Sequence, residues 1–473
     1  MTKTLHFFIY FISLWTVTIN AQIELPAFFG DNMVLQQNER VSIWGKDTPN
    51  TAITIVTSWG VKTNTVSNSE GLWSTIIKTK RGSFESQSIS IKGSNTKEIN
   101  NVLIGEVWFC SGQSNMEMPL KGLRKSLVSN ADKYLKIATN KNIRLFNNAR
   151  SASVFPSYDV NGKWEVSDVE TAKQFSAIGF MFGIKLFKKL DVPIGVIESA
   201  WGGTKIESWI PKQVLLKYKN IKFANKLPID LNKQKKPSFL YNAMIHPFQE
   251  FKIKGVLWYQ GESNRSKPES YYDYMQDLIA SWRNQWGNKK LSFYFVQIAP
   301  YNYTKHRKSS GIKANIIRES QLKIAQGIKN TRVVVTTDAG DCDDIHPSKK
   351  EIIAKRLLNI ALVEKYNYKN VNYRSAEFQK MVIKNNHITL RFKFQKNDAF
   401  ISQKEVKGFT IAASNRKFHP AKVLFSNDMK SIILYNEEVK NPVAVRYGFE
   451  DCFESNLKTK SGLPISVFRT DAW

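Results

Sequence analysis

A serine on a glycine-containing turn directly behind an apolar run is a place where a hydroxyl can attack a carbonyl. Val102–Cys110 (VLIGEVWFC) runs into Ser111-Gly112-Gln113-Ser114-Asn115-Met116. Such a turn exposes the Ser114 hydroxyl and presents backbone N–H groups and a helix N-terminus to an oxyanion. Serine there is equally an ordinary helix N-cap, and the G-x-S-x-G elbow is not matched, because Met116 replaces its second glycine. The nucleophile needs a base. Behind Arg332–Thr337 the chain reads Asp338-Ala339-Gly340-Asp341-Cys342-Asp343-Asp344-Ile345-His346-Pro347. One helical turn between Asp343 and His346 would bring a carboxylate to the imidazole and fix its tautomer. An acidic loop at a helix start is the plainer alternative; the spacing does not fit an EF-hand Ca²⁺ loop. Among the 6 histidines, His246 before Pro247 is the only rival.

Two further strand ends carry matching chemistry. Pro193–Ser199 leads into Ala200-Trp201-Gly202-Gly203-Thr204, and Gly255–Gln260 leads into Gly261-Glu262-Ser263-Asn264. Paired glycines let backbone approach a ligand and donate an N–H, and Gln260 or Asn264 offers a neutral side-chain donor. Taken singly, each end reads as turn chemistry. Presented together on one sheet, they read as a site.

The elements that must position these ends are legible. Between the apolar runs, including Leu291–Ile298, lie amphipathic stretches at Thr171–Leu190, Glu269–Trp286, Asn315–Ile328 and Ser348–Tyr366. Alternating strands and helices predict a mostly parallel α/β sheet with helices on both faces, and ligands beyond the carboxyl ends of its strands. Before it, Val41–Gly45, Ile53–Trp59, Leu72–Lys78 and Ser88–Gly93 alternate with period two, as in a β-sandwich. After it, His387–Phe394 and Ser431–Asn436 return to that pattern. The expected division is 1–21 signal peptide, 22–104 N-terminal β-sandwich, 105–368 α/β domain and 369–473 C-terminal β domain.

The order of these blocks, G-Q-S-N-M, W-G-G-T, W-Y-Q-G-E-S-N and D-x-x-H-P, resembles the SGNH (GDSL-type) hydrolases and, within them, the sialate O-acetylesterase branch of carbohydrate esterases. Leu25-Pro26, Asn32–Gln36, Gly105–Trp108, Leu240–Ile245, Gly462–Pro464 and Phe468–Asp471 extend the likeness over nearly the whole mature chain. The resemblance implies an SGNH-type fold and a serine esterase that removes O-acetyl groups from carbohydrates, above all sialic acids. Acetylated xylan or another plant polysaccharide is the alternative substrate, and a non-catalytic carbohydrate-binding protein the alternative from another class. It implies Ser114 as nucleophile, His346 as base then acid, and Asp343 as the carboxylate that orients the imidazole. The oxyanion donors it implies are the Ser114 amide, Gly202 or Gly203, and Gln260. Many members carry Gly-Asn-Asp where this chain has Gln260 and Glu262, so Glu262 and Asn264 are assigned to hydrogen-bonded support. Asn115, Trp201, Tyr259 and Arg265 are candidate sugar contacts; Trp209 and Trp258 stand beside the same motifs, and Arg318 is a second cation for a sialate carboxylate. Neither metal nor cofactor is required.

Composition bounds the partners. The 473 residues are 42% hydrophobic and 23% charged, which excludes a disordered or low-complexity chain. Lys3 followed by the apolar Leu5–Ile19 and the small Ala21 has the layout of a secretory signal, too short for a comfortable membrane span. A secreted or periplasmic enzyme is therefore expected, with no membrane span after cleavage. The net charge of +29 suggests nucleic acid at first sight. Export and the lack of a binding motif with interleaved aromatics argue against that partner. The densest basic patch, Lys212–Lys236, reads as a solvated face or an attractor of anionic glycans. Three cysteines exclude a disulfide framework; Cys110 and Cys342 are expected near one another, with Cys452 left over.

Overall fold

A computed structural model describes residues 22–227, 233–308 and 312–473. The expected signal segment, 1–21, lies outside them, as does part of the Lys212–Lys236 patch. Seven strands form the central sheet: β1 (Thr96–Gly112), β2 (Asn140–Asn147), β3 (Trp164–Ser167), β4 (Ile194–Ala200), β5 (Gly255–Tyr259), β6 (Ser292–Val296) and β7 (Thr331–Val334). Their spatial order is β7-β6-β5-β1-β4-β2-β3, parallel throughout except for the antiparallel edge strand β3. Strand order reverses on either side of β1, so the crevice at its carboxyl end is where an open α/β sheet binds its ligand.

Sequence explains the layering. Strands β4, β5 and β6 are buried at every position, which suits apolar runs covered on both faces. On one face lie α2 (Ala177–Leu190) and α5 (Lys350–Tyr366), packed through Ile178, Met181, Phe182, Leu357 and Ala361. On the other lie α3 (Tyr271–Gln285) and α4 (Ile312–Gly327), packed through Leu278, Trp282, Ile317 and Ile324. Burying each of the leucine, isoleucine, methionine and phenylalanine side chains among them contributes roughly 1.5–3 kcal/mol. The helix expected over Thr171–Leu190 is two helices: Phe175 is extended, and the Ser176 side chain accepts the Gly179 amide to cap α2.

The flanking β parts join this sheet in different ways. The N-terminal strands Val34–Gln36, Ala52–Thr57, Lys62–Val66 and Ser83–Lys92 belong to the same extended sheet, because the first half of β1 pairs with Val34–Gln36 and Ser83–Lys92. The boundary expected at 104/105 therefore falls within one continuous strand. At the C-terminus, two four-stranded sheets enclose a core of Ile388, Leu390, Ile411, Leu434 and Val445. This unit clasps the segment behind β7. The Ser455 amide donates to the Thr337 carbonyl at 2.8 Å, Arg356 and Lys458 both pair with Asp338, and a disulfide joins Cys342 to Cys452. Cys110 is a free, buried thiol, so the expected neighbour of Cys342 is replaced by a partner 110 residues away.

Candidate active site

At the end of β1 the chain turns so tightly that Gly112 takes φ 135°, and a Cβ there would lie 2.2 Å from the Tyr259 carbonyl oxygen. Only glycine allows this approach to β5. The Gln113 amide then bonds to that same carbonyl at 2.9 Å, and Ser114 opens the four-residue helix α1 (Ser114–Glu117). The Ser114 hydroxyl lies 2.9 Å from His346 Nε2. Burial holds the imidazole below its ordinary pKa, and the charges of Lys350, Arg124 and Arg307 act the same way against the pull of Asp344. The ring is thus neutral at pH 7, the state in which a base accepts a proton.

The carboxylate nearest the ring is not Asp343. Asp344 Oδ1 lies 3.9 Å from His346 Nδ1 and accepts the His346 amide at 2.8 Å. Asp343 is 69% exposed and points the other way, onto Lys305 (2.7 Å) and His306 (3.1 Å), which hold it below the usual carboxylate range. The reason is local. Three-residue spacing aligns side chains only on a helix, and α5 starts at Lys350; before it, Asp341 Oδ1 accepts the amides of Asp343 and Asp344 and turns the loop.

The oxyanion expectation also needs revision. The Ser114 amide and the Gly203 amide make no hydrogen bond among the described residues. Gly203 holds φ 72° with open space around it. The Gly202 amide is committed to Glu117 Oε2 at 2.8 Å, and Arg150 Nε holds the other oxygen of that carboxylate at 2.5 Å. Gln260 is fully buried, and its amide nitrogen donates to the Thr204 carbonyl (3.0 Å) and Asn264 Oδ1 (2.7 Å), so it has no proton left for substrate. Asn264 also accepts the Ile206 amide and donates to Glu207. Together they brace the Gly-Gly loop from below.

Ser114 and His346 open into a cavity of about 660 Å³. Its walls carry Arg124, Arg150, Lys205, Lys235, Arg265 and Arg307 against Glu117 and Glu262. Trp201 is half-exposed on this wall, whereas Trp209, Trp258 and Tyr259 are core side chains, so Tyr259 is no sugar contact. Arg265 stacks on Tyr303 with its guanidinium carbon 3.5 Å from the ring centroid. Arg318 is buried away from the cavity on the carbonyls of Ile298 and Ala299.

Asn115, expected to touch sugar, is buried as well. Its Nδ2 donates to Glu262 Oε1 (2.7 Å) and the Ile345 carbonyl (3.0 Å), and its Oδ1 accepts from Lys350 Nζ (2.6 Å). Burial raises the Glu262 pKa despite the Asn115 bond. Sequence reasoning missed Lys350, Glu117 and Arg150: nothing in a single chain marks a lysine as buried or pairs residues 33 positions apart. Asp344 had a signal, since it stands in the same acidic run.

A hydroxyl on a neutral imidazole, beside uncommitted amides at the carboxyl end of a parallel strand, is a hydrolase arrangement. Comparison with known proteins makes the class a carboxylic ester hydrolase. A carbohydrate acetylesterase from Xanthomonas citri, known from its crystal structure, is 31% identical with a TM-score of 0.86, covering 96% of this chain and 100% of that one. The chain belongs to the family described as carbohydrate esterase, sialic acid-specific acetylesterase, whose model matches residues 104–362. Among its relatives, the sialate O-acetylesterase of Homo sapiens is 30% identical over 390 residues, covering 73% of this chain and 72% of that one. That of Mus musculus is 27% identical over 492 residues, covering 89% and 88%.

Proposed function

We propose that this chain is a secreted serine esterase that removes O-acetyl groups from sialic acids through an acetyl-Ser114 intermediate, on an SGNH-type catalytic domain. The observation that carries the reading is the 2.9 Å contact of Ser114 Oγ with His346 Nε2 in a cation-lined cavity. Ser114 attacks the acetyl carbonyl, and His346 takes the hydroxyl proton. The tetrahedral oxyanion is met by the amides of Ser114 and Gly203, and His346 returns the proton to the departing sugar oxygen. Water then repeats the cycle and releases acetate. Asp344 steadies the imidazolium.

The charge of the cavity supports an acidic sugar. Arg150 and the Gly202 amide occupy Glu117, and Asn115 holds Glu262 in the floor, and basic side chains outnumber acidic ones on the cavity wall. A sialate carboxylate suits a guanidinium fixed on an aromatic ring, as Arg265 is on Tyr303. The Cys342–Cys452 disulfide supports an oxidising compartment. The test is acetate release from O-acetylated sialic acid and from acetylated xylan by the wild type and by Ser114→Ala. Faster turnover of the sialate, abolished in the variant, is expected. Faster turnover of xylan would replace the substrate, and equal rates in both proteins would remove the esterase reading.

A further inference from the structure

Lys350 is 1% exposed and opens α5 four residues behind His346. Burying an ammonium group is costly unless it is paired, and a methionine would fill the same space without that cost. Its ammonium group donates to Asn115 Oδ1 at 2.6 Å, and this bond decides which way the Asn115 amide faces. With the oxygen turned to Lys350, both protons of Nδ2 are directed away from it, one to Glu262 and one to the Ile345 carbonyl. Asn115 directly follows Ser114, and Ile345 directly precedes His346. One side chain thus ties the backbone of the serine to the backbone of the histidine across 230 positions.

We propose that Lys350 is a positioning residue for the Ser114–His346 pair, acting through the Asn115 side chain that its ammonium group holds. The proposal rests on the reading of that pair as an esterase. The groups facing Lys350 are the carboxylates of Glu262 and Asp344, the Tyr259 ring at 6.0 Å and the His346 imidazole. Among the described residues Glu262 Oε2 is buried without a hydrogen bond, and the charge of Lys350 favours the ionised carboxylate. That charge also disfavours a proton on His346 and keeps the base ready. Burial brings the Lys350 ammonium down to about 7, against the pull of Glu262 and Asp344.

The experiment titrates the His346 ring by NMR in the whole protein, with His346→Gln to assign the signal, in the wild type, Lys350→Met and Lys350→Arg. No substrate is involved, so the result stands even if the wild type releases no acetate, which would refute the esterase reading separately. Loss of the charge in Lys350→Met is expected to raise the ring pKa by about half a unit or more, and Lys350→Arg to keep it low. In parallel, Lys350→Met is expected to lower kcat about tenfold or more with little change in KM, since small misplacement of reacting groups is expensive. Its kcat/KM acid limb moves to higher pH with the ring. Should the Met variant not fold, Lys350→Gln removes the charge on a side chain that is one bond shorter but still ends in a donor, giving the same titration. An unchanged ring pKa together with kcat within about twofold of wild type would overturn the proposal.

Discussion

The hydroxyl of Ser114 and Nε2 of His346 meet at 2.9 Å although 232 positions separate them in the chain. Two strand ends of one parallel sheet bring them together, and the C-terminal unit clasps the segment that delivers the histidine. Each part of that assembly has a measurable consequence.

The carboxylate that lies beside the His346 ring is Asp344. Asp344→Asn is expected to lower kcat at least about tenfold, whereas Asp343→Asn, on an exposed side chain bonded to Lys305 and His306, leaves it near wild type. The pH profile adds a sign. Asp344 pulls the imidazole pKa up, so its removal moves the acid limb of kcat/KM to lower pH, the direction opposite to Lys350→Met. Steady-state kinetics across pH checks both.

Gln260 braces the Gly-Gly loop, in which the Gly203 amide makes no hydrogen bond among the described residues. A Cβ at Gly202 would stand 3.1 Å from Ser114 Cβ and 3.0 Å from Glu117 Oε2, so Gly202→Ala displaces the nucleophile and is expected to cost about 10- to 100-fold in kcat. Gln260→Ala removes the donor to the Thr204 carbonyl and one of the two donors to Asn264 Oδ1. It is expected to lower Tm, with a smaller loss of kcat than the roughly 10²–10³ of a lost oxyanion donor. Thermal melts beside initial rates separate the two effects.

How much of this was readable in advance varies by residue. Ser114, the Gly202-Gly203 pair and His346 stood out because strand ends in an α/β sheet are where chemistry collects, and the motif order marked them without deciding between the glycines. Asp343 was misassigned because a spacing argument needs a helix, and the loop before Lys350 bends instead through Asp341. Gln260, Asn115 and Tyr259 have polar atoms suited to a ligand, but burial gives Gln260 and Asn115 to internal hydrogen bonds and Tyr259 to the core. Partner choice depends on depth, which one sequence does not encode locally. The same holds for the disulfide, since Cys452 lies in a different unit.

Recognition of an acidic sugar would fall on the cationic wall. Arg265→Met is expected to raise KM for an O-acetylated sialate about tenfold or more while leaving KM for a neutral acetyl ester unchanged. In the wild type, added salt should weaken the sialate alone. Parallel titrations with both esters measure this.

The disulfide links Cys342, in the loop that carries His346, to the C-terminal unit. Cys452→Ser is expected to destabilise the protein by about 2–4 kcal/mol and to reduce kcat by loosening that loop. Denaturant unfolding and acetate release, with and without a reductant on the wild type, provide the comparison.

The most direct test of the account is to catch the intermediate. Wild-type enzyme mixed with an acetyl ester and quenched with acid during turnover should carry one acetyl group on the peptide containing Ser114, seen by mass spectrometry, and Ser114→Ala should carry none and release no acetate. An unmodified Ser114 peptide together with undiminished turnover by Ser114→Ala would contradict it.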